Sequence, residues 1–151
     1  MAAVRPAVAG DMPAIRGLMA GERVNPTGID WRNFLIAEAA DGVVGIVQLR
    51  PAGPGAVEIG SLVVRAGLRG GGLGRRLVDA AVAATGGRRA FVVTAAARAP
   101  FFAAWGFRPV PARSAPWSVR RNWLLGQAGS LVALAHGTRP RRLAVLERPG
   151  K

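Results

Sequence analysis

The chain has 151 residues, half of them hydrophobic, with no cysteine, no tyrosine and a single histidine, His136, and it carries a formal net charge of +13. The absence of Cys excludes thiol nucleophiles, iron–sulfur clusters and Cys/His zinc frameworks, and the length suits one domain with its own core. The charge is uneven: residues 1–79 hold nine Arg against seven acids, a net +2, whereas residues 80–151 hold eleven Arg and Lys151 against Glu147, a net +11.

A basic half suggests an anionic partner, which an acidic substrate, a polyphosphate cofactor or nucleic acid would each satisfy. Coding from a GC-rich genome explains the same numbers, because 20 of the 21 basic residues are Arg in a chain rich in Ala, Gly, Pro and Val. The apolar runs are broken by Asp, Arg or Gly well short of the ~18 to 20 residues that cross a bilayer. Only Arg5 precedes Asp11 at the start, unlike a secretory signal. A soluble, cytoplasmic protein with no membrane partner is expected.

In chain order, AVRPA reads as a short strand, and Asp11 as the N-cap of a helix with Pro13 in its first turn and Ile15, Leu18 and Met19 on one face. GERVNPTGIDWRN is loop-like with room for one helical turn. FLIAEAADGVVGIVQLR carries two apolar runs joined through Ala40, Asp41 and Gly42, a hairpin signal. VEIGSLVV is the next strand, with Gly60 and Ser61 inviting a bulge.

The stretch GLRGGGLGRRL, Gly67 to Leu77, then opens a helix on which Leu73, Leu77, Ala80, Ala81 and Ala84 recur at helical spacing. RRAFVVT is a buried strand, and ARAPFFAAWGF a short helix ending at Gly106. FRPV, VRRNWLL and RRLAVLER read as strands, and GQAGSLVALAHG suits helix or strand. Strand, glycine loop, helix, strand is a crossover unit with a parallel pair.

The glycine stretch is either a tight turn or a phosphate cradle. A P-loop requires Lys and Ser/Thr where Leu73 and Gly74 stand. A dinucleotide fingerprint requires a small residue at Leu77 and an acid about 20 residues later. No acid occurs between Asp79 and Glu147, so both patterns fail. Glycines before a helix still expose backbone N–H groups at the positive end of its dipole.

The wider run LVVRAGLRGGGLGRRL resembles the acetyl-coenzyme A signature of the GNAT superfamily of N-acyltransferases. A strand of pattern L-x-V, here Leu62, Val63 and Val64, leads through four residues to R-x-x-G-x-G, here Arg69, Gly70, Gly71, Gly72, Leu73 and Gly74. FFAAWGFRPV is similar to the family's aromatic helix followed by Gly-Phe and a strand. Over roughly Val43 to Val110 the resemblance is specific, and elsewhere it is one of topology.

The resemblance implies an α/β (α+β) fold over residues 1–151: a single acetyl-CoA-binding acyltransferase domain. Its sheet would be mixed and mostly antiparallel, of six to seven strands with a central splayed parallel pair, flanked by about four helices. It implies an acetyl-CoA-dependent N-acetyltransferase, with no metal, that moves the acetyl group to a primary amine by direct attack in a ternary complex. The pyrophosphate would sit on the amides of Gly70 to Gly74 with charge from Arg69 and Arg75, although Arg75 and Arg76 also suit a solvated helix face. The pantetheine arm would lie between the parallel strands, and the thioester beside Leu62 to Val64, where a backbone N–H stabilises the oxyanion.

Deprotonating the amine requires a base or a water relay. Glu58 is the candidate, four residues before Leu62 and on the same face apart from any bulge, at about 13 Å by strand rise. A Glu paired with an Arg across the sheet is the competing reading. Family members often reprotonate the thiolate with a Tyr at the place held here by Phe102, so that acid is missing. His136, beside Gly137 at a candidate helix end, is a weak substitute.

The acceptor side would be built from the loop after the first helix, with Asn25, Asp30, Trp31 and Phe34, and from the last strands, with Trp117, Arg120, Arg121 and Trp123. These residues suit a small-molecule or peptide amine, including an acidic one, and suit core and solvated edge equally. A monomer or homodimer is expected. A non-catalytic acyl-CoA-binding sensor or scaffold is the alternative function, with a basic nucleic-acid-binding module third.

Overall fold

The computed structural model of the chain describes residues 2–22, 28–137, 139 and 141–151. Seven strands are hydrogen-bonded in the order β1-β2-β3-β4-β5-β7-β6. They are β1 (Ala3–Pro6), β2 (Phe34–Ala39), β3 (Gly42–Pro51), β4 (Ala56–Val64), β5 (Arg89–Ala95), β6 (Arg108–Val110) and β7 (Leu143–Arg148). The α-helices are α1 (Met12–Met19), α2 (Leu73–Ala84), α3 (Ala99–Phe102) and α4 (Trp117–Ala135). The sheet is mixed, with β4 and β5 parallel, as expected from the crossover unit.

The chain forms two compact units, one of residues 1–50 and 59–86, the other of residues 51–58 and 87–151. In the first, β2 and β3 form the hairpin expected at Asp41-Gly42, with Ile36 opposite Ile46 and Ala37 opposite Gly45. Successive strand residues face opposite ways, so the hairpin offers two packing faces. Ile15 and Met19 of α1 cover Phe34, Ile36, Ile46 and Val63. On the other face Leu77 of α2 comes so near the strand that a Cβ on Gly45 would lie 2.8 Å from its Cδ1. The helix sits tight on β3 because position 45 has no side chain.

Asp11 precedes α1, but its side chain does not cap that helix. The carboxylate instead accepts from the Val8 N–H at 2.8 Å and from both terminal nitrogens of Arg5 at 2.9 and 3.1 Å. Arg5 thereby holds the Asp11 carboxyl below the usual aspartate range.

In the second unit β4 pairs with β5 over Ala56–Arg89, Val57–Ala90 and Glu58–Phe91, and β7 runs antiparallel between β5 and β6. Val119 of α4 packs with Phe91, Val145 and Ala115. VRRNWLL, expected to be a strand, lies inside α4, and GQAGSLVALA continues the same helix for 19 residues in all. The run is apolar and basic without a readable period. Side-chain bonds to the segment entering β7 settle it: Trp123 Nε1 donates to the Leu143 carbonyl, Gln127 accepts from the Leu143 N–H, and Ser130 exchanges hydrogen bonds with the Arg141 backbone. Residues spaced four and three apart meet one neighbouring segment only from a helix.

Candidate acyl-CoA site

Gly70 and Gly72 have φ of +85° and +84°, the left-handed region that side chains resist, and Gly72 is the N-cap of α2. No side chain caps this helix, so its first N–H groups, which lack intrahelical partners, face outward at the positive end of the dipole. A Cβ added at Gly70 or Gly72 would meet nothing within 4 Å. Open space over donors that no side chain caps fits a pyrophosphate. The helix runs from Leu73 with Leu73, Leu77, Val78 and Ala81 buried, as its spacing predicts.

Arg69 sits differently from a free phosphate ligand. Its Nε donates to the Val64 carbonyl at 2.9 Å and its Nη2 to Glu22 at 2.6 Å, tying the loop to the end of β4 and to the segment after α1. Arg75 is exposed on the first turn of α2, and Arg76 reaches the Ala2 carbonyl. Leu62 and Val64 are half-buried and Val63 is buried in the core. Just before them Ser61 has φ +49°, the expected irregularity. It interrupts the two-residue alternation on which a shared face for Glu58 and Leu62 depends.

Glu58 is 2% exposed, and its Oε2 accepts from Asn122 Nδ2 of α4 at 2.7 Å. An amide N–H only donates, so Asn122 holds that oxygen as an acceptor. The Asn122 partner had no sequence signal, since the two residues are 64 apart and the helix itself was read as a strand.

Phe102 packs edge-on to Phe101 and Phe107, with ring centroids 5.0 and 6.0 Å away, and brings no hydroxyl. His136 is the exposed C-cap of α4, its N–H on the carbonyls of Ala133 and Leu134, in keeping with a helix-end role.

Asn25 lies outside the described residues. Asp30 caps a single 3-10 turn, Trp31–Asn33, by accepting from the Arg32 N–H, and the Arg32 guanidinium stacks 4.6 Å from the Trp31 ring centroid. Phe34 is a core residue at 2% exposure. Trp117, Arg120, Arg121 and Trp123 lie on α4, not on a last strand. Arg120 is spent on the carbonyls of Arg113 and Ala115.

A buried polar group in the first unit had gone unread. Gln48 is fully buried on β3, accepts from Ser61 Oγ at 3.0 Å and donates to the Gly28 carbonyl at 2.6 Å. The signal was available: Gln48 and Arg50, two apart, are the polar residues of an otherwise apolar strand. Among the described residues no cluster of three or more His, Asp or Glu suits a metal, and no helix is long and apolar enough to cross a membrane.

Comparison with known proteins agrees with this arrangement. N-Acetylglutamate synthase from Neisseria gonorrhoeae, solved with coenzyme A and L-arginine, superposes with a TM-score of 0.74 at 21% identity over 98% of this chain. The chain spans about a third of that protein, 33% of its length. Rv2747 from Mycobacterium tuberculosis, solved with CoA and NLQ, gives 0.72 at 21% identity over 97% of this chain and 98% of the other. The ribosomal-protein-S18-alanine N-acetyltransferase from Escherichia coli gives 0.65 at 11% identity over 100% and 95%. At these identities the likeness is one of fold. No curated protein matches. A family model described as an acetyltransferase (GNAT) domain matches residues 30–109, more than half of the sequence. The chain belongs to the GNAT acetyltransferase domain family.

Proposed function

We propose that residues 1–151 act as one N-acetyltransferase module that takes its acetyl group from acetyl-CoA and delivers it to a primary amine. The observation that carries the reading is the uncapped start of α2 behind Gly70 and Gly72, following Leu62 to Val64 in a chain of this family. Bound acetyl-CoA supplies the activated acyl group as a thioester. The N–H groups of Gly70 to Gly74 bind its pyrophosphate, and Arg69 holds their loop in place through Glu22 and the Val64 carbonyl. Exposed Arg75 adds positive charge at the same end of the helix. The backbone of Leu62 to Val64 aligns the thioester and offers an N–H to its oxygen.

Glu58, positioned by Asn122, accepts the proton of the attacking ammonium through water. No Tyr stands at Phe102, so the departing thiolate, with a pKa of ~8.5, takes its proton from solvent. The chain has no cysteine to carry an acyl group, which is consistent with direct attack by the amine in a ternary complex. On the acceptor side Trp31 and Asn25 are the residues for the amine's substituent, Gln48 holds the Gly28 carbonyl, and Phe34 packs with Trp31 in the core.

The test is calorimetric and kinetic. Acetyl-CoA should bind the folded protein at micromolar concentration, and turnover of a panel of amines, peptides and aminoglycosides should follow intersecting, sequential kinetics. Parallel lines would exclude direct attack, and absent acetyl-CoA binding would end the proposal. Binding without turnover of any amine selects the second reading, a coenzyme A-binding sensor, which the missing hydroxyl at Phe102 favours.

A further inference from the structure

α4 is turned inside out. Besides Val119 and Trp123, the residues it buries or packs inward are small or polar: Asn122 and Ser130 are buried, and at Gly126 the helix touches Leu143 so closely that a Cβ would collide. Its other large apolar residues point to solvent. Trp117, Leu124, Leu125, Leu131, Val132 and Leu134 are exposed by between 47% (Leu124) and 67% (Leu131). At 100° per residue these six fall on one half of the helix, opposite Val119, Gly126 and Ser130.

Together they expose on the order of 600 Å² of apolar surface around Arg121, the upper end for a lone soluble protein and near the ~800 Å² per partner of a standard stable interface. The pattern within this face is also self-complementary. Trp117, Leu124 and Leu131 recur every seven residues, and Arg121, Ala128 and Ala135 follow each by four. Alternating steps of four and three form the seam of a two-helix coil, and alanine at two of the three alternate seam positions, 128 and 135, lets the axes approach closely.

Charge selects both the occupant and its direction. Arg120 and Arg121 sit in the second turn of α4, at the end where its dipole disfavours cations; the first turn has no acid and the last turn no base. An antiparallel second copy lays Arg121 toward the C-terminal end of the partner helix, where the dipole favours a cation. A parallel copy stacks Arg121 on Arg121. We infer that the outward face of α4 is a homodimer interface, built by antiparallel pairing of this helix with its counterpart in a second copy.

The experiment is sedimentation velocity on the full chain at micromolar concentration. The wild type should sediment as a dimer, and L124D/L131D as a monomer with an unchanged circular dichroism spectrum, since both side chains are solvent-exposed and lie outside the core. The chain has no native thiol, so single cysteines report direction without background. In the antiparallel dimer centred near Gly126, Ala128→Cys should form a disulfide-linked dimer on mild oxidation. Trp117→Cys should not, because its two copies stand about 27 Å apart by helix rise. A monomeric wild type overturns the inference, as does a dimer that survives L124D/L131D or cross-links equally at both positions. Monomeric wild type that co-sediments with phosphatidylglycerol vesicles would assign the face to an anionic lipid surface instead.

Discussion

Asn122, on the buried side of α4, donates a 2.7 Å hydrogen bond to the Oε2 of Glu58, a carboxylate on β4 that is 2% exposed. The bond joins the strand that leads to the glycine loop with the helix that follows β6. It gives the candidate base a fixed orientation, which a strand position by itself does not supply.

Glu58→Gln keeps the shape of the side chain and removes its basicity. Turnover should fall by about 100-fold or more, within the range of general-base contributions, while the calorimetric affinity for CoA stays within twofold. An unchanged rate would remove Glu58 as the base. Asn122→Ala should lose about 1–3 kcal/mol in urea unfolding, because a buried carboxylate oxygen loses a donor.

At the loop, Gly72→Ala forces a side chain onto a φ of +84° and should cost about 1–2 kcal/mol of stability. It should also weaken CoA binding by displacing the first amides of α2. Arg69→Ala and Glu22→Gln should both weaken binding, the second less, if Arg69 acts by holding the loop. Were Arg69 a direct phosphate ligand, Glu22→Gln would leave the affinity equal or higher, a difference that titration calorimetry resolves.

Gly45→Ala places a methyl 2.8 Å from Leu77 Cδ1 and should destabilise the first unit by about 1–3 kcal/mol through overpacking. The double variant Gly45→Ala/Leu77→Ala should be more stable than Leu77→Ala plus the separate cost of Gly45→Ala, because the smaller helix residue removes the clash. A double-mutant cycle in urea measures that coupling.

Arg5 depresses the Asp11 carboxyl, so the folded state favours the ionised form. The stability this contributes is complete above the unfolded aspartate pKa of ~3.9 and is lost as pH falls from there through the lower folded value. Asp11→Asn should therefore be less stable than wild type at pH 7, and the gap should close as the pH is lowered toward 2. A gap independent of pH would assign the loss to the Val8 N–H contact alone.

Features whose chemistry is local were legible. Asp41-Gly42 turned β2 into β3, Gly72 and the spacing of Leu73, Leu77 and Ala81 marked α2, and Gly106, with φ +83°, ended the aromatic helical segment. Each depends on neighbours within a few residues, so each leaves a pattern in the chain. The family signature from Leu62 to Gly74 belongs here too, because a loop of backbone donors needs particular residues in a particular order.

Features whose cause is distant were not legible. VRRNWLL reads as a strand because α4 has no polar outer face to reveal its period: its buried side holds Asn122, Gly126 and Ser130 and its exposed side holds Leu. Phe34 suits pocket and core alike in the sequence and is core in the structure, since burial depends on what α1 lays over it. The sequence by itself determined the family, the glycine loop that opens α2 and the hairpin on which that helix packs. The tertiary structure decided the helical state of residues 117–135, the partner of Glu58 and the engagement of Arg69, because each rests on contacts between segments far apart in the chain.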